Sequence, residues 1–268
     1  MVLKLALLLC DTPHPDVVET HGDYRVIYAE FLKNSLPSGD TEYAIDSYDV
    51  VHKMEYPPAD KTDEYTGIIL TGSVASAYQE LEWINKLVAY MAVIIETKPE
   101  IRIIGICFGH QIIARACGGR CVPNDGKWEL GPTPLDLTPL GKELFEADTL
   151  NIQQVHRDHV PEIPPAFHIL ATTQICYNQA MVRLYPTSSP ENSTPHVAPN
   201  LSNVHIFTIQ GHPEFIEPIV SKIVEIRSQS GIIGAEVVAD AIRRKDWRND
   251  GVAVVGKAIW RVLGVSTG

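Results

Sequence analysis

The chain lacks the features that mark several large protein classes. It has no C-x-x-C pair, and its five cysteines, at 10, 107, 117, 121 and 176, form an odd set unsuited to a disulfide framework or a zinc site. A reducing, cytoplasmic setting follows, and the sequons at Asn192 and Asn200 are then read as chance. Long apolar runs are missing too. Leu5–Cys10 falls far short of the about 20 residues that span a bilayer, and no membrane association is expected. Asp11-Thr12-Pro13 ends that run too early for a signal peptide. Basic residues are scarce: 22 Lys+Arg against 33 Asp+Glu leave a net charge of −11 with no Lys/Arg stripe, which excludes a nucleic-acid partner. Nor is there a phosphate-cradling loop, since Gly126-Lys127 has no Ser or Thr after it and no glycine five residues before.

What is present is a chain of 268 residues, 45% apolar, ample for a packed core. Apolar runs bounded by turn residues alternate with segments of helical period. Leu3–Cys10, Tyr43–Val51, Thr66–Thr71 and Ile101–Ile106 read as strands, whereas Leu81, Ile84, Leu87, Val88, Met91, Ile94 and Ile95 recur at helical spacing. Such alternation predicts β-α-β units and a mostly parallel sheet covered on both faces. Shorter strands are expected at Leu135–Thr138, Ile152–Val155, Phe167–Thr172, Ile175–Val182 and Val204–Ile209. Four prolines among polar residues make Tyr185–Leu201 an expected exposed loop. Beyond Glu217 the apolar spacing is helical to the end. Residues 1–268 read as a single domain, with a core over 1–230 and a C-terminal helical extension over 231–268.

The most informative segment is Gly105-Ile106-Cys107-Phe108-Gly109-His110-Gln111, which follows an apolar strand and leads into a helix beginning with Ile112 and Ile113. A strand, a nucleophilic residue type and a helix joined through glycines have the logic of a nucleophile elbow. The helix N-terminus favours thiolate over thiol, and the Phe108 N–H is placed to meet an oxyanion. Taken alone, the pattern fits a reactive cysteine or a small buried apolar one about equally. The second segment, Gln210-Gly211-His212-Pro213-Glu214-Phe215, follows the strand at Val204–Ile209. Pro213 is expected to hold His212 extended, so that residues 212 and 214 project to one side. His212 then serves as general base to Cys107, with Glu214 fixing its tautomer. His156 and His159, at i and i+3, have no third ligand near in sequence, and no metal is assigned.

Together these motifs resemble the class I (triad) glutamine amidotransferase family, over roughly residues 1–230. The likeness is greatest to free-standing fungal members similar to the amidotransferase half of GMP synthase. The resemblance implies a three-layer α/β/α flavodoxin-like fold and a catalytic set of Cys107, His212 and Glu214. Ile69-Leu70-Thr71-Gly72-Ser73 resembles the family's S-G-G-P loop, so Gly72 and Ser73 inherit an oxyanion role beside Phe108. Glu129-Leu130-Gly131 resembles an E-x-G element that lines the glutamine pocket, and Val155-His156-Arg157-Asp158-His159-Val160 resembles an S-H-G-D-x-V segment that shapes its amino-acid end. Gln111 is implied to contact the substrate's α-amino or α-carboxylate end. Here Ser73 and Val74 replace glycine and proline, while Val155 and Arg157 replace small residues. The recognition end therefore differs from that of a dedicated glutaminase.

The implied reaction is thiolate attack on a γ-glutamyl amide through a γ-glutamyl thioester, which needs no cofactor or metal. Three functions fit the sequence. One is an amidotransferase handing ammonia to a separate synthase subunit. Another is a γ-glutamyl peptidase acting on glutathione-like conjugates. The third is a non-catalytic scaffold or regulatory subunit, against which the paired motifs argue.

Overall fold

Strand β1 (Leu3–Leu9) is apolar on both faces, which suits the middle of a sheet covered on two sides. The computed structural model, which describes residues 2–37, 41–185 and 203–265, places it there. Leu5, Leu7 and Leu9 enter one hydrophobic cluster, and Ala6, Leu8 and Cys10 enter the other. The period of two in a strand thus builds both cores at once.

Around β1 lie parallel strands β2 (Tyr43–Asp49), β3 (Gly67–Leu70) and β4 (Arg102–Ile106), with the last strand, β11 (Val204–Ile209), beside β4. The spatial order β2-β1-β3-β4-β11 is the flavodoxin-like doubly wound order. Helices α3 (Glu82–Thr97) and α4 (Phe108–Ala116) cover one face. The other face is covered by α2 (Tyr24–Ser35), α6 (Glu217–Gln229) and α8 (Lys257–Val262), with α1 (Pro15–His21), α5 (Pro139–Phe145) and α7 (Ala235–Arg244) around them. The three-layer α/β fold expected from the sequence is the one observed.

Between α4 and β11 the chain adds β5 (Val122–Pro123), β6 (Glu129–Leu137), β7 (Leu150–His156), β8 (Asp158–His159), β9 (Phe167–Thr172) and β10 (Ala180–Leu184). Four of these extend the sheet antiparallel in the order β10-β9-β6-β7, while β5 and β8 pair separately. The sequence underestimates β6 and β7, because polar Glu129, Gln153 and Gln154 interrupt their apolar pattern yet are buried, Glu129 and Gln154 with side-chain hydrogen bonds. The strand expected at Ile175–Val182 starts only at Ala180, since Thr173 N–H closes a turn onto the Cys176 carbonyl. Helices α1 and α2 escape the sequence reading. Yet Asp23 caps α2 by accepting from the Arg25 and Val26 N–H groups, and Tyr24, Ile27, Tyr28, Phe31 and Leu32 form its buried face. The proline-rich loop expected over Tyr185–Leu201 lies outside the described residues apart from Tyr185. Among the described residues no helix is long and apolar enough to cross a membrane.

The C-terminal helices complete the core. A π-helical turn at Gly251–Gly256 runs into α8, whose Trp260 is fully buried, packs edge-on to Tyr43 and donates its indole N–H to the Leu32 carbonyl at 2.9 Å. Trp260→Ala is therefore expected to destabilise the whole protein by about 3–5 kcal/mol, read by urea unfolding as one transition at lower denaturant. Separate loss of the C-terminal helices, with the sheet's transition unmoved, would contradict this packing.

Candidate active site

Cys107 sits between β4 and α4 with φ 51° and ψ −104°, a backbone conformation that side chains rarely adopt. Close approach explains the flanking glycines. A Cβ on Gly109 would lie 2.6 Å from the Leu70 carbonyl oxygen, and one on Gly105 would lie 2.8 Å from the Gly109 backbone. The Cys107 N–H donates to the Ile209 carbonyl at 2.8 Å, tying the elbow to the end of β11. Cys107 is only 5% exposed, less than an exposed nucleophile would be, but it lines a cavity. Phe108 is the first residue of α4, so the turn exposes the helix N-terminus beside the sulfur.

His212 lies beyond β11 and pairs with Gln153 of β7, its N–H donating to that carbonyl at 2.8 Å. Phe215 N–H then returns to the His212 carbonyl at 3.3 Å, so Pro213 and Glu214 occupy the middle of a turn. The expectation that 212 and 214 meet as alternate residues of an extended segment is corrected: they meet across this turn. The His212 Nδ1–H donates to Glu214 Oε1 at 2.8 Å, and Tyr28 OH donates to the same oxygen at 3.4 Å. Phe215 stacks parallel on the imidazole at 4.3 Å. Gly72 faces the ring, where a Cβ would come within 2.7 Å of His212 Cε1 and 3.7 Å of the Cys107 Cβ. Burial by itself would lower the His212 pKa, but charge and hydrogen bonding from Cys107 and Glu214 outweigh it and raise it to about 10.

The loop after β3 is held by Asp11, whose carboxylate accepts from the Val74 N–H at 2.7 Å and the Ser73 hydroxyl at 3.4 Å. Among the described residues the N–H groups of Gly72 and Ser73 have no acceptor. Cys107, Ser73, Gln111, Val155, His156 and Arg157 line one cavity of about 200 Å³. The other two residues expected there are absent from its lining. Glu129 is buried behind it, accepting from Thr173 and Gln179 and lying 3.0 Å from His156 Nε2. Gly131, at φ 78°, lies against Ala241 of α7 and lines a different cavity. Neither end of the E-x-G element therefore lines the Cys107 cavity, although Glu129 reaches it through His156.

Several residues escaped the sequence reading. Gln210 donates to the Cys107 sulfur at 3.6 Å and accepts from Gln111, whose amide also donates to the Asp158 carbonyl. Arg227 of α6 and Trp128 join the cavity wall, with the Arg157 and Arg227 guanidiniums 5.7 and 5.3 Å from the Trp128 ring centre. Gln210 adjoins a motif and was legible as a neighbour, whereas Arg227 sits in a helix whose polar residues look alike in sequence. His110, between two motif residues, points at Thr208 inside the core, where burial lowers its pKa to about 3. Ligand atoms of Glu129, His156 and Cys176 lie within 4.8 Å of one another, but bonds from Thr173 and Gln179 occupy both Glu129 oxygens. That makes the cluster a hydrogen-bonded network, poorly suited to a metal.

Burial raises the thiol of Cys10 to about 12 and raises those of Cys117, Cys121 and Cys176 as well. A glutamine-like diazo-ketone at neutral pH should consequently label Cys107 first, as read by peptide mass mapping. Even labelling across all five cysteines would contradict this assignment.

The family model described as "Glutamine amidotransferase class-I" matches residues 22–219. A glutamine amidotransferase-like protein of Schizosaccharomyces pombe is 30% identical over 253 residues, covering 92% of this chain and 93% of the relative. Gamma-glutamyl peptidase 3 of Arabidopsis thaliana is 26% identical, covering 83% and 81% of the two chains. Among solved structures, a Thermotoga maritima glutamine amidotransferase superposes with a TM-score of 0.67 at 17% identity, covering 98% of this chain and 99% of that one, a likeness of fold. With most of its length matched by the family model, this chain belongs to the class I glutamine amidotransferase family.

Proposed function

We propose that this protein hydrolyses γ-glutamyl amides through a γ-glutamyl thioester on Cys107. The observation that carries the reading is a buried imidazole bonded to Glu214 at 2.8 Å, with its pKa raised by Cys107 and Glu214, beside a cysteine at a helix N-terminus. Cys107 Sγ attacks the γ-carbonyl carbon, and the developing oxyanion takes N–H groups from Phe108 and from Gly72 or Ser73. His212 gives its proton to the amide nitrogen as the C–N bond breaks, and ammonia or an amine leaves. Water then attacks the thioester and gives its proton to His212, the C–S bond breaks, and glutamate departs. Glu214 holds the imidazole in the tautomer this requires. Gln111, Val155, His156 and Arg157 form the binding wall, with Arg227 added, and Gln210 bonds the Cys107 sulfur from behind it.

Two uses of this chemistry remain: supply of ammonia to a separate synthase subunit, or γ-glutamyl peptidase activity. Arg157 and Arg227 favour the second, because two cations suit a substrate with more carboxylates than glutamine has. Glutamate release from glutamine, γ-glutamyl dipeptides and glutathione conjugates by the pure chain is the deciding assay. Faster hydrolysis of glutamine than of every conjugate, or acceleration by a second protein, would favour the first use.

Cys107→Ala is expected to abolish turnover, and His212→Ala to lower kcat by at least about 10²-fold, whereas Glu214→Gln should cost less. Turnover surviving Cys107→Ala would overturn the mechanism. Glu214→Gln also removes one of two groups that hold the proton on His212. The His212 pKa should fall from about 10, and the alkaline limb of the kcat/KM profile should move to lower pH with it.

A further inference from the structure

Next to the Cys107 cavity lies a second cavity, of about 150 Å³, on the His212 side. Its wall is largely apolar, built from Val17 of α1, Tyr24 of α2, Phe215, and Ile219, Ile223 and Ile226 of α6. Ser73, Val74, Val155 and Arg227 line both cavities, so the two adjoin at the oxyanion loop. His212 belongs to the second wall alone, and Gln111, His156 and Asp158 to the first alone. Resting on the reaction proposed above, this division assigns the two ends of a substrate. The leaving nitrogen must lie against His212, which protonates it, so whatever that nitrogen carries extends into the apolar cavity, while the glutamyl part lies on the Gln111–Asp158 side.

Arg227 stands at the junction. It is half-buried, stacks over Trp128, and among the described residues has no carboxylate within ion-pair distance. A partly desolvated guanidinium without a protein carboxylate is a ready site for a ligand's. The other charged group in this wall that could compete for it, Asp11, is already taken by the Val74 N–H and the Ser73 hydroxyl.

We propose that the leaving group is an apolar amino acid, its side chain seated between α1, α2 and α6 and its carboxylate met by Arg227. The preferred substrate is then a γ-glutamyl amide of such an amino acid. Ammonia, the leaving group of glutamine, fills none of this space.

The test uses the full chain carrying Cys107→Ala, so that ligands bind without turnover, and calorimetry with γ-glutamylphenylalanine, γ-glutamylglycine, γ-glutamylphenethylamide and glutamine. γ-Glutamylphenylalanine should bind at least about tenfold more tightly than γ-glutamylglycine or glutamine. Adding Ile223→Asp should erase that advantage while leaving glutamine binding unchanged. Adding Arg227→Met should weaken γ-glutamylphenylalanine by a larger factor than the phenethylamide, which has no carboxylate on its leaving group. Equal affinity for the phenylalanine and glycine dipeptides would overturn the proposal, as would equal weakening of all ligands by Ile223→Asp. Assays of the unsubstituted chain separate the two claims. Selective binding without hydrolysis of any compound removes the reaction and keeps the subsite, whereas hydrolysis without selectivity keeps the reaction and removes the subsite.

Discussion

In-register pairing of β11 with β4, from Ile206 opposite Ile103 to Ile209 opposite Ile106, brings together two segments separated by about a hundred residues. One further hydrogen bond, from the Cys107 N–H to the Ile209 carbonyl, carries that pairing into the elbow. Parallel strands end at the same edge of a sheet. Cys107 and Gln210 therefore emerge side by side, and His212 follows two residues later. A shift of one residue in this register would turn every side chain of β11 to the opposite face, so two buried cores and the site are specified by the same ladder.

The electrostatics follow from that placement. His212, Glu214 and Cys107 are all buried, and a lone charge there would be strongly disfavoured. Together they form a chain in which the imidazole lies between sulfur and carboxylate, and both neighbours raise its pKa. The ring is closely packed: Phe215 stacks on the imidazole, and Gly72 lies close enough that even a methyl group would strike it. Weak solvent screening strengthens each pairwise interaction, which is why burial alone does not decide the His212 protonation state.

The C-terminal segment braces this site from behind. Gly251 packs so closely on Pro213 that a Cβ would collide with its carbonyl, and Asn249 donates to the Phe215 carbonyl at 2.9 Å. Asp250 exchanges bonds with Asn151 of β7, accepting from its N–H and donating to its carbonyl. The turn that carries His212 and Glu214 is thereby held between β7 and the C-terminal helices. Because α6 also supplies Arg227 and the isoleucines of the second cavity, residues beyond the family motifs line the space beside Cys107 and His212.

Much of the fold was legible in the residues, and so was the strand-to-helix turn that carries Cys107, because both rest on local rules. Period-two and helical apolar spacing marked β1, β3, β4, β11 and α3, and glycines around Cys107 announced a tight strand-to-helix turn. Where burial is polar, that legibility fails: β6 and β7 bury Glu129 and Gln154 through hydrogen bonds that no hydropathy pattern records. The E-x-G element was recognisable as a string, but which way β6 turns its side chains depends on its pairing with β7. What the sequence by itself determined was the doubly wound class and the residue types, a cysteine at a strand-to-helix turn and a histidine after the last strand, that the fold brings to one sheet edge. Only the tertiary structure decided that His212 meets Glu214 across a turn, that Gln210 touches the sulfur, and that Arg227 lies between two cavities, because each depends on which distant segments pack together, and spacing along a chain does not encode that.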